Sequence, residues 1–307
     1  LKAAFFRTYG PPEVLEYGEL SDPVPGPGEV LVDIHAASVN AADWKMRAGQ
    51  YAAKVALPHI PGRDFSGVVA ATGSAARDFQ PGETVFGVCE LPAEGAYAEK
   101  IAIRQEIVAR KPERLSHAEC AALALAGLTA LVSIADTLKV AAGETLLIHG
   151  GAGGVAGFAI QLAKHFGARV VSTASAANHD YVRNLGADEV IDYRARDFAR
   201  AVSNCDAVFD TVGGEVTMRS FEVLRPGGRL ASVAAGARAP ESPRSDVISL
   251  RPNVERKRAH LERLARLLAD GVLRLPEITL FPLSQAAAAH RVSEARHLRG
   301  KLVLRVR

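Results

Sequence analysis

TLLIHGGAGGVAGFAIQLAKHFGARVVSTAS, running from Thr145 to Ser175, is the stretch that decides the fold. Thr145 to His149 is a short apolar run that reads as a strand. Gly151, Gly153 and Ala156 then fit G-x-G-x-x-G/A. Val155, Phe158, Ala159, Leu162, Ala163 and Phe166 recur at helical spacing, and Gly167 supplies a stop. Arg169 to Thr173 reads as a second strand. A glycine turn between a strand and an amphipathic helix lets backbone approach a pyrophosphate, which then faces free N–H groups and the positive end of the helix dipole. The same glycines also suit a plain strand-to-helix turn. The strand before, the helix after and the second strand at the right distance favour a dinucleotide.

Outward from this stretch the chain keeps a β–α rhythm. A helix from about Asn178 to Leu185 stops at Gly186, and strands follow at Glu189–Asp192, Asp206–Asp210 and Arg229–Val233. This predicts an α/β Rossmann domain, a doubly wound parallel sheet with helices on both faces. Upstream, Val30, Val32, Ile34 and Ala36 alternate with Leu31, Asp33 and His35, the period of a strand. Turn signals at Pro11-Pro12, Pro25-Gly26-Pro27-Gly28, Pro61-Gly62 and Pro81-Gly82 punctuate short strands and suggest a barrel-like domain. Ser116 with Glu119 forms a capping box before an Ala/Leu-rich helix. The tail reads as a helix from Asn253 to Ala269 ended by Gly271, a strand near Ile278–Phe281, a helix from Ser284 and a strand from Lys301 to Val306.

At 307 residues, two domains are expected. Hydrophobic residues at 48% and charged residues at 23% exclude a disordered chain. The net charge of +3 is small and dispersed. The basic run Arg251 to Arg266 carries Glu255 and Glu262 and reads as a solvated helix face, so no nucleic-acid partner is expected. No apolar run reads as long enough to cross a bilayer, and Ala118 to Ala135 reads as a buried helix. Lys2 to Tyr9 is a strand pattern rather than a signal peptide. Three scattered cysteines, Cys89, Cys120 and Cys205, fit a reducing cytoplasm, and Cys89 and Cys205 show no base partner.

The end of the second strand bears on the cofactor. An NAD site places an acidic residue there to hold the ribose 2′-hydroxyl. This chain has Ser172, Thr173, Ala174 and Ser175, which leave room for a 2′-phosphate and favour NADPH.

Six segments join the glycine turn in a resemblance that covers nearly the whole chain. They are Ala36–Tyr51 (AASVNAADWKMRAGQY), Pro61–Val69 (PGRDFSGVV), Ala126–Ala130 (AGLTA), Leu185–Tyr193 (LGADEVIDY), Asp210–Gly214 (DTVGG) and Leu224–Arg229 (LRPGGR). With them the chain resembles the medium-chain dehydrogenase/reductase superfamily, in its zinc-less quinone oxidoreductase and 2-alkenal reductase branch. The resemblance implies a GroES-like β-barrel catalytic domain, 1–118 with 256–307, and a Rossmann NADP-binding domain, 119–255. It also implies an active site in the cleft between them, and a homodimer or homotetramer. The alcohol dehydrogenase branch has Cys where this chain has Asn40, and Gly-His-Glu where it has Gly62-Arg63-Asp64. No metal is therefore expected. Without a Lewis acid, hydride addition to an activated quinone or enone is the natural chemistry.

The same resemblance assigns roles. Asn40 would bond the substrate carbonyl or the nicotinamide ribose, with Asp43 structural. Lys45 would approach the nicotinamide. Tyr51 would donate to a developing enolate or form a wall. Thr129 would contact the carboxamide. Gly154 and Val155, at the helix start, face the pyrophosphate. Ser175 and Asn178 align with 2′-phosphate contacts, and Tyr193 with a phosphate or adenine contact. Family members place a basic residue next to or at Asn178, where this chain has Ala177; Arg183 or Arg194 would have to compensate. Thr211, Val212 and Gly213, and then Ala234 and Ala235, follow strand ends, where they either border the cofactor or only shape the loops. Lys301–Val303 reads as core. The acceptor pocket falls to loops near Met46–Pro58 and after Ala235. Two other readings stay open: alcohol oxidation, and a non-catalytic NADPH-binding redox sensor.

Overall fold

The computed structural model describes residues 1–51, 55–90, 93–234, 236 and 238–307. Ala235 and part of the Met46–Pro58 loop lie outside the described residues. The chain forms two compact units. The first comprises Leu1–Leu125, Arg256–Ala265 and Leu275–Arg307; the second comprises Ala126–Glu255 and Arg266–Arg274. Residues 266–274 thus belong with the second unit, although the sequence reading kept 256–307 together.

In the first unit Glu29–Val39 is the hub of a seven-stranded sheet. Asp64–Thr72 lines one side of it. Lys100–Arg104 pairs antiparallel with its first half, and Lys301–Arg305 pairs antiparallel with its second half. The register shifts between Leu31 and Val32 and between Ile34 and Ala36, so the strand bends where its partner changes. Val30, Val32 and Ile34 are completely buried, as their alternation predicts. Thr84–Val88 and Val108–Arg110 extend one side, and Ile278–Pro282 lies parallel to Lys301–Arg305 on the other. Lys2–Phe6 and Leu15–Glu19 form a separate two-stranded sheet.

The second unit is an all-parallel sheet. Its order is Glu189–Asp192, Arg169–Ala174, Thr145–Ile148, Cys205–Asp210, Leu224–Ser232, Ile248–Leu250. The chain moves outward in one direction from Thr145–Ile148, then returns beside it and moves outward in the other. That reversal, between Thr145–Ile148 and Cys205–Asp210, is the switch point of a Rossmann sheet.

Two helices depart from their sequence patterns. The tail helix spans Arg258–Ala269, not Asn253–Ala269. Arg256 instead extends its guanidinium to the Cys89 carbonyl, 3.3 Å away, and the residues before it stay non-helical. The capping box at Ser116 and Glu119 forms as expected, with backbone N–H bonds in both directions. Helix His117–Leu131 then runs on through a π-helical turn, Val132–Thr137. Over 21 residues, with a mean hydropathy of 1.9, it is long and apolar enough to cross a membrane, contrary to the sequence reading. Most of that surface, 83% of the window, is buried inside the protein, so core packing accounts for its apolar character.

Candidate functional site

The second unit gathers its candidate residues along the C-terminal edge of its sheet. After Thr145–Ile148 the chain turns through Gly150, at φ +76°, and enters helix Gly154–His165 with Gly153 as N-cap. Each glycine has its own reason. A Cβ on Gly151 would meet Ser172 Oγ at 2.3 Å and Val182 Cγ1 at 3.0 Å, so packing against the second strand forbids it. Gly153 has φ −77° and ψ 157°, open to any residue, and a Cβ there would meet nothing closer than the Gly150 oxygen at 3.4 Å. Neither backbone nor packing asks for glycine at 153. The space is free, it lies at the start of a twelve-residue helix, and no side chain caps that helix. Gly153, Gly154 and Val155 therefore form a cradle that fits an anionic pyrophosphate.

The other strand ends close on this turn. A Cβ on Gly150 would lie 2.8 Å from Thr211 Oγ1 and 3.4 Å from Val212, and one on Gly213 would lie 3.0 Å from the Ala234 Cβ. Thr211 Oγ1 donates to the His149 carbonyl at 2.8 Å. Asp210, completely buried, anchors the loop by accepting from the N–H groups of Val212 and Gly213 and from Ser232 Oγ. Beyond the second strand, Asn178 Nδ2 donates to Ser175 Oγ at 3.2 Å. Asp192 pairs with Ala174, which places Tyr193, half exposed, at the same sheet edge as Ser175. Of the two compensating arginines, Arg183 is spent on Asp180 at 3.1 Å, while Arg194 lies over the Tyr193 ring with 5.7 Å to its centroid. Thr129 sits partly exposed on helix His117–Leu131, where its carbonyl accepts from Ser133 Oγ.

Under the turn lies a group that sequence reasoning passed over. His149 is 1% exposed, and burial lowers its imidazole pKa to about 4. Ser220 Oγ already donates to the Val216 carbonyl, so it accepts from His149 Nε2–H at 2.9 Å. His149 Nδ1 is then the acceptor for Thr173 Oγ1, which itself accepts from Gly150 N–H. The neutral Nε2–H tautomer thus locks the glycine turn to the second strand.

In the first unit the candidates meet in a buried polar knot. Asn40 ends the hub strand and caps helix Ala41–Arg47. Its backbone N–H donates to Asp43 Oδ2 at 2.8 Å, the local role expected of Asp43. Its side chain lies between two opposite charges. Nδ2 donates to Asp64 Oδ1 at 2.8 Å, and Oδ1 accepts from Lys301 Nζ at 2.8 Å. Asp64 is completely buried and also accepts from Ser38 Oγ and the Leu125 N–H. Burial pushes its carboxyl upward while Lys301 pulls it down; burial lowers the Lys301 ammonium. With the amide donor on Asp64, Asn40 is badly placed to donate to a substrate carbonyl. Lys301 is therefore part of the site, although its strand reads as ordinary core.

A second cluster adjoins the first through Asp43. Burial pushes Asp43 up to about 7, against the pull of Arg63. Asp43 Oδ2 accepts from Tyr97 OH at 2.9 Å, and its Oδ1 lies 3.7 Å from Arg63 Nε without a hydrogen bond. Arg63 bonds Glu94 at 2.7 Å, and His59 holds the other oxygen of the same carboxylate at 2.9 Å. Tyr51 lies over Arg63, 5.6 Å from guanidinium carbon to ring centroid, and burial holds its phenol above the usual range. Tyr51 is thus a neutral O–H donor at the Asn40–Asp43 knot. The Lys45 ammonium instead sits 5.7 Å from the Trp44 ring centroid, its pKa lowered by burial and then by Arg296.

These residues do not suit zinc. Arg63 and Asn40 ligate nothing in this state, and the Lys301 ammonium already supplies a cation 2.8 Å from the Asn40 oxygen. A dication there would have to displace that ammonium. Among the described residues no group of three or more His, Cys, Asp or Glu side chains is placed to hold a metal. All three cysteines are buried free thiols, with burial raising each of them.

The strand order, the glycine cradle and the branched hub sheet define a Rossmann oxidoreductase fold. Residues 26–113 match the alcohol dehydrogenase GroES-like domain, and residues 185–304 match the family described as zinc-binding dehydrogenase. An NADPH-dependent alkenal/one oxidoreductase of Arabidopsis thaliana chloroplasts is 33% identical over 99% of this chain and 79% of its own length. A mycocerosic acid synthase-like polyketide synthase of Mycobacterium tuberculosis is 31% identical over 98% of this chain, which spans 15% of that protein's length. The solved quinone oxidoreductase of Coxiella burnetii superposes with a TM-score of 0.93 at 36% identity, covering 100% of this chain and 99% of its own. The chain belongs to the medium-chain dehydrogenase/reductase superfamily.

Proposed function

We propose that this chain is an NADPH-dependent, zinc-independent oxidoreductase that reduces a quinone or an α,β-unsaturated carbonyl. The observation that carries the reading is Gly153, a glycine required by neither backbone nor packing and open at a helix start. The names of the Arabidopsis and Coxiella relatives support the substrate classes, and the Arabidopsis name supports the cofactor. When bound, NADPH supplies the hydride. Ser175 and Asn178, both uncharged, leave a 2′-phosphate unopposed, and Arg194 is the nearby arginine without a carboxylate partner among the described residues. Tyr51, a phenol that is neutral at physiological pH, supplies a proton donor for the oxygen that gains charge. Free buried thiols support a cytoplasmic setting, and the half-exposed Ile248 on the edge strand Ile248–Leu250 supports a homodimer or homotetramer.

The test follows NADPH absorbance with 1,4-benzoquinone, 9,10-phenanthrenequinone, 2-hexenal and 3-buten-2-one, repeated with NADH and with a chelator. Chelator-resistant oxidation that prefers NADPH is expected. Turnover that requires added zinc, or alcohol-dependent reduction of NADP⁺ without reduction of these acceptors, would replace the reading with an alcohol dehydrogenase.

A further inference from the structure

The Asn40 amide can be accounted for atom by atom. An ammonium only donates and a carboxylate only accepts, so the atom 2.8 Å from Lys301 is the oxygen and the atom 2.8 Å from Asp64 is the nitrogen. A flip would set like against like on both sides. The two partners are themselves fixed. Lys301 is 5% exposed and donates to the Val39 carbonyl at 3.0 Å, while Asp64 is held by Ser38 and Leu125. Leu302 pairs with Val39, which sets Lys301 beside Asn40 by strand register. The amide nitrogen also lies 3.4 Å from the Ser38 carbonyl. What Asn40 has left for a ligand is the second lone pair on Oδ1.

We propose that Lys301 and Asp64 are positioning residues that fix Asn40 as a hydrogen-bond acceptor, and that its ligand partner is a hydroxyl group rather than a carbonyl oxygen. This deepens the proposed function and rests on it. A ribose hydroxyl of the cofactor and a phenolic hydroxyl of a hydroquinone product share that chemistry, and the test separates them.

Three variants are compared: Asn40→Ala, the charge-neutral pair Asp64→Asn/Lys301→Met, and all three substitutions together. Dissociation of NADPH is read by quenching of protein fluorescence, and hydroquinone binding by product inhibition. The expected result is a loss of about tenfold in one arm for Asn40→Ala and for the pair, with the triple variant no worse than either. A change in NADPH affinity assigns the ribose hydroxyl; a change in product inhibition alone assigns the hydroquinone. Additive losses, or no loss in either arm from a variant with an unchanged melting temperature, would overturn the proposal. A second measurement needs no folded charge variant. In the 15N-labelled unmutated protein, the side-chain NH2 signals that vanish in Asn40→Ala should show slow exchange of one proton with D2O before any ligand is added. Fast exchange of both protons would overturn the locked amide. Failure of the unmutated protein to bind NADPH would sink the proposed function, while the exchange measurement would still read the amide.

Discussion

The two candidate regions are built on opposite principles. In the second unit the site is made by leaving side chains out: Gly150, Gly151 and Gly153 bring bare backbone to the end of a strand and the start of a helix. In the first unit it is made by crowding side chains in: Asn40, Asp64, Lys301, Asp43, Arg63 and Glu94 pack into adjoining polar clusters in which only Asp43 Oδ1 lacks a hydrogen bond among these residues. A backbone cradle tolerates any ligand with the right charge and size, and its weak point is steric. A buried charged knot fixes the direction of each donor, and its weak point is the loss of a partner, because the remaining charge stays buried.

The largest expected effect breaks the first half of this contrast. Gly153→Asp places a preferred N-cap residue at the helix start, so the melting temperature should hold or rise. The same carboxylate fills the cradle and repels a pyrophosphate, so NADPH affinity should fall by about a hundredfold or more. Retained affinity in titration would remove the cradle from the site. Next comes the second half. Tyr51→Phe keeps the ring over Arg63 but removes the proton donor, and kcat should fall by about tenfold or more, with NADPH affinity unchanged. A change in affinity alone would make Tyr51 a wall. Asn178→Asp sharpens the cradle's outer end. The new charge opposes a 2′-phosphate, and the NADPH/NADH ratio of kcat/KM should drop by about tenfold. An unchanged ratio would place the phosphate elsewhere.

The smallest effect compares the stability of the two regions with pH. Burial depresses His149 to about 4 in the second unit, and His290 to about 3 in the first. Both imidazoles take up a proton near pH 6.5 when unfolded but resist it when folded. The unfolded state therefore binds more protons, and stability should decline as pH falls from about 6.5 toward 4. Thermal melts of His149→Gln and His290→Gln should each show a shallower decline than the unmutated protein. Parallel curves would mean that the imidazoles titrate alike in both states.

The contrast also explains what could be read from sequence. The cradle was legible because its parts lie within a few residues of one another, and because its period changes at the turn: strand, glycines, helix. The knot was not, because its members come from residues 38, 40, 64, 125 and 301 and meet only through strand pairing. Lys301 sits in an apolar run that reads as core, and nothing local marks it as the partner of Asn40. Asp64 stands at the position of a lost metal motif, but its carboxylate accepts from the Asn40 amide, whose oxygen accepts from Lys301. Strand-end polarity at His149 was the one available clue to its lock on Thr173. The tail helix is overextended in the sequence reading because the apolar and charged spacing continues back to Asn253, while the helix begins only at Arg258.

The strand order of the first unit has a consequence for how the chain matures. Lys301–Arg305 sits inside its sheet, between Ile278–Pro282 and Glu29–Val39, yet emerges from synthesis long after Glu29–Val39. Until then the second half of Glu29–Val39 is paired with Asp64–Thr72 on one side only, and its other side is an open edge, a template for pairing with the wrong chain. The second unit, almost continuous in sequence, can form first and shorten the effective loop that the last strand must close. A nascent chain halted before residue 301 should therefore hold a formed nucleotide-binding unit beside a sticky, unfinished partner, and would be a natural client for a chaperone.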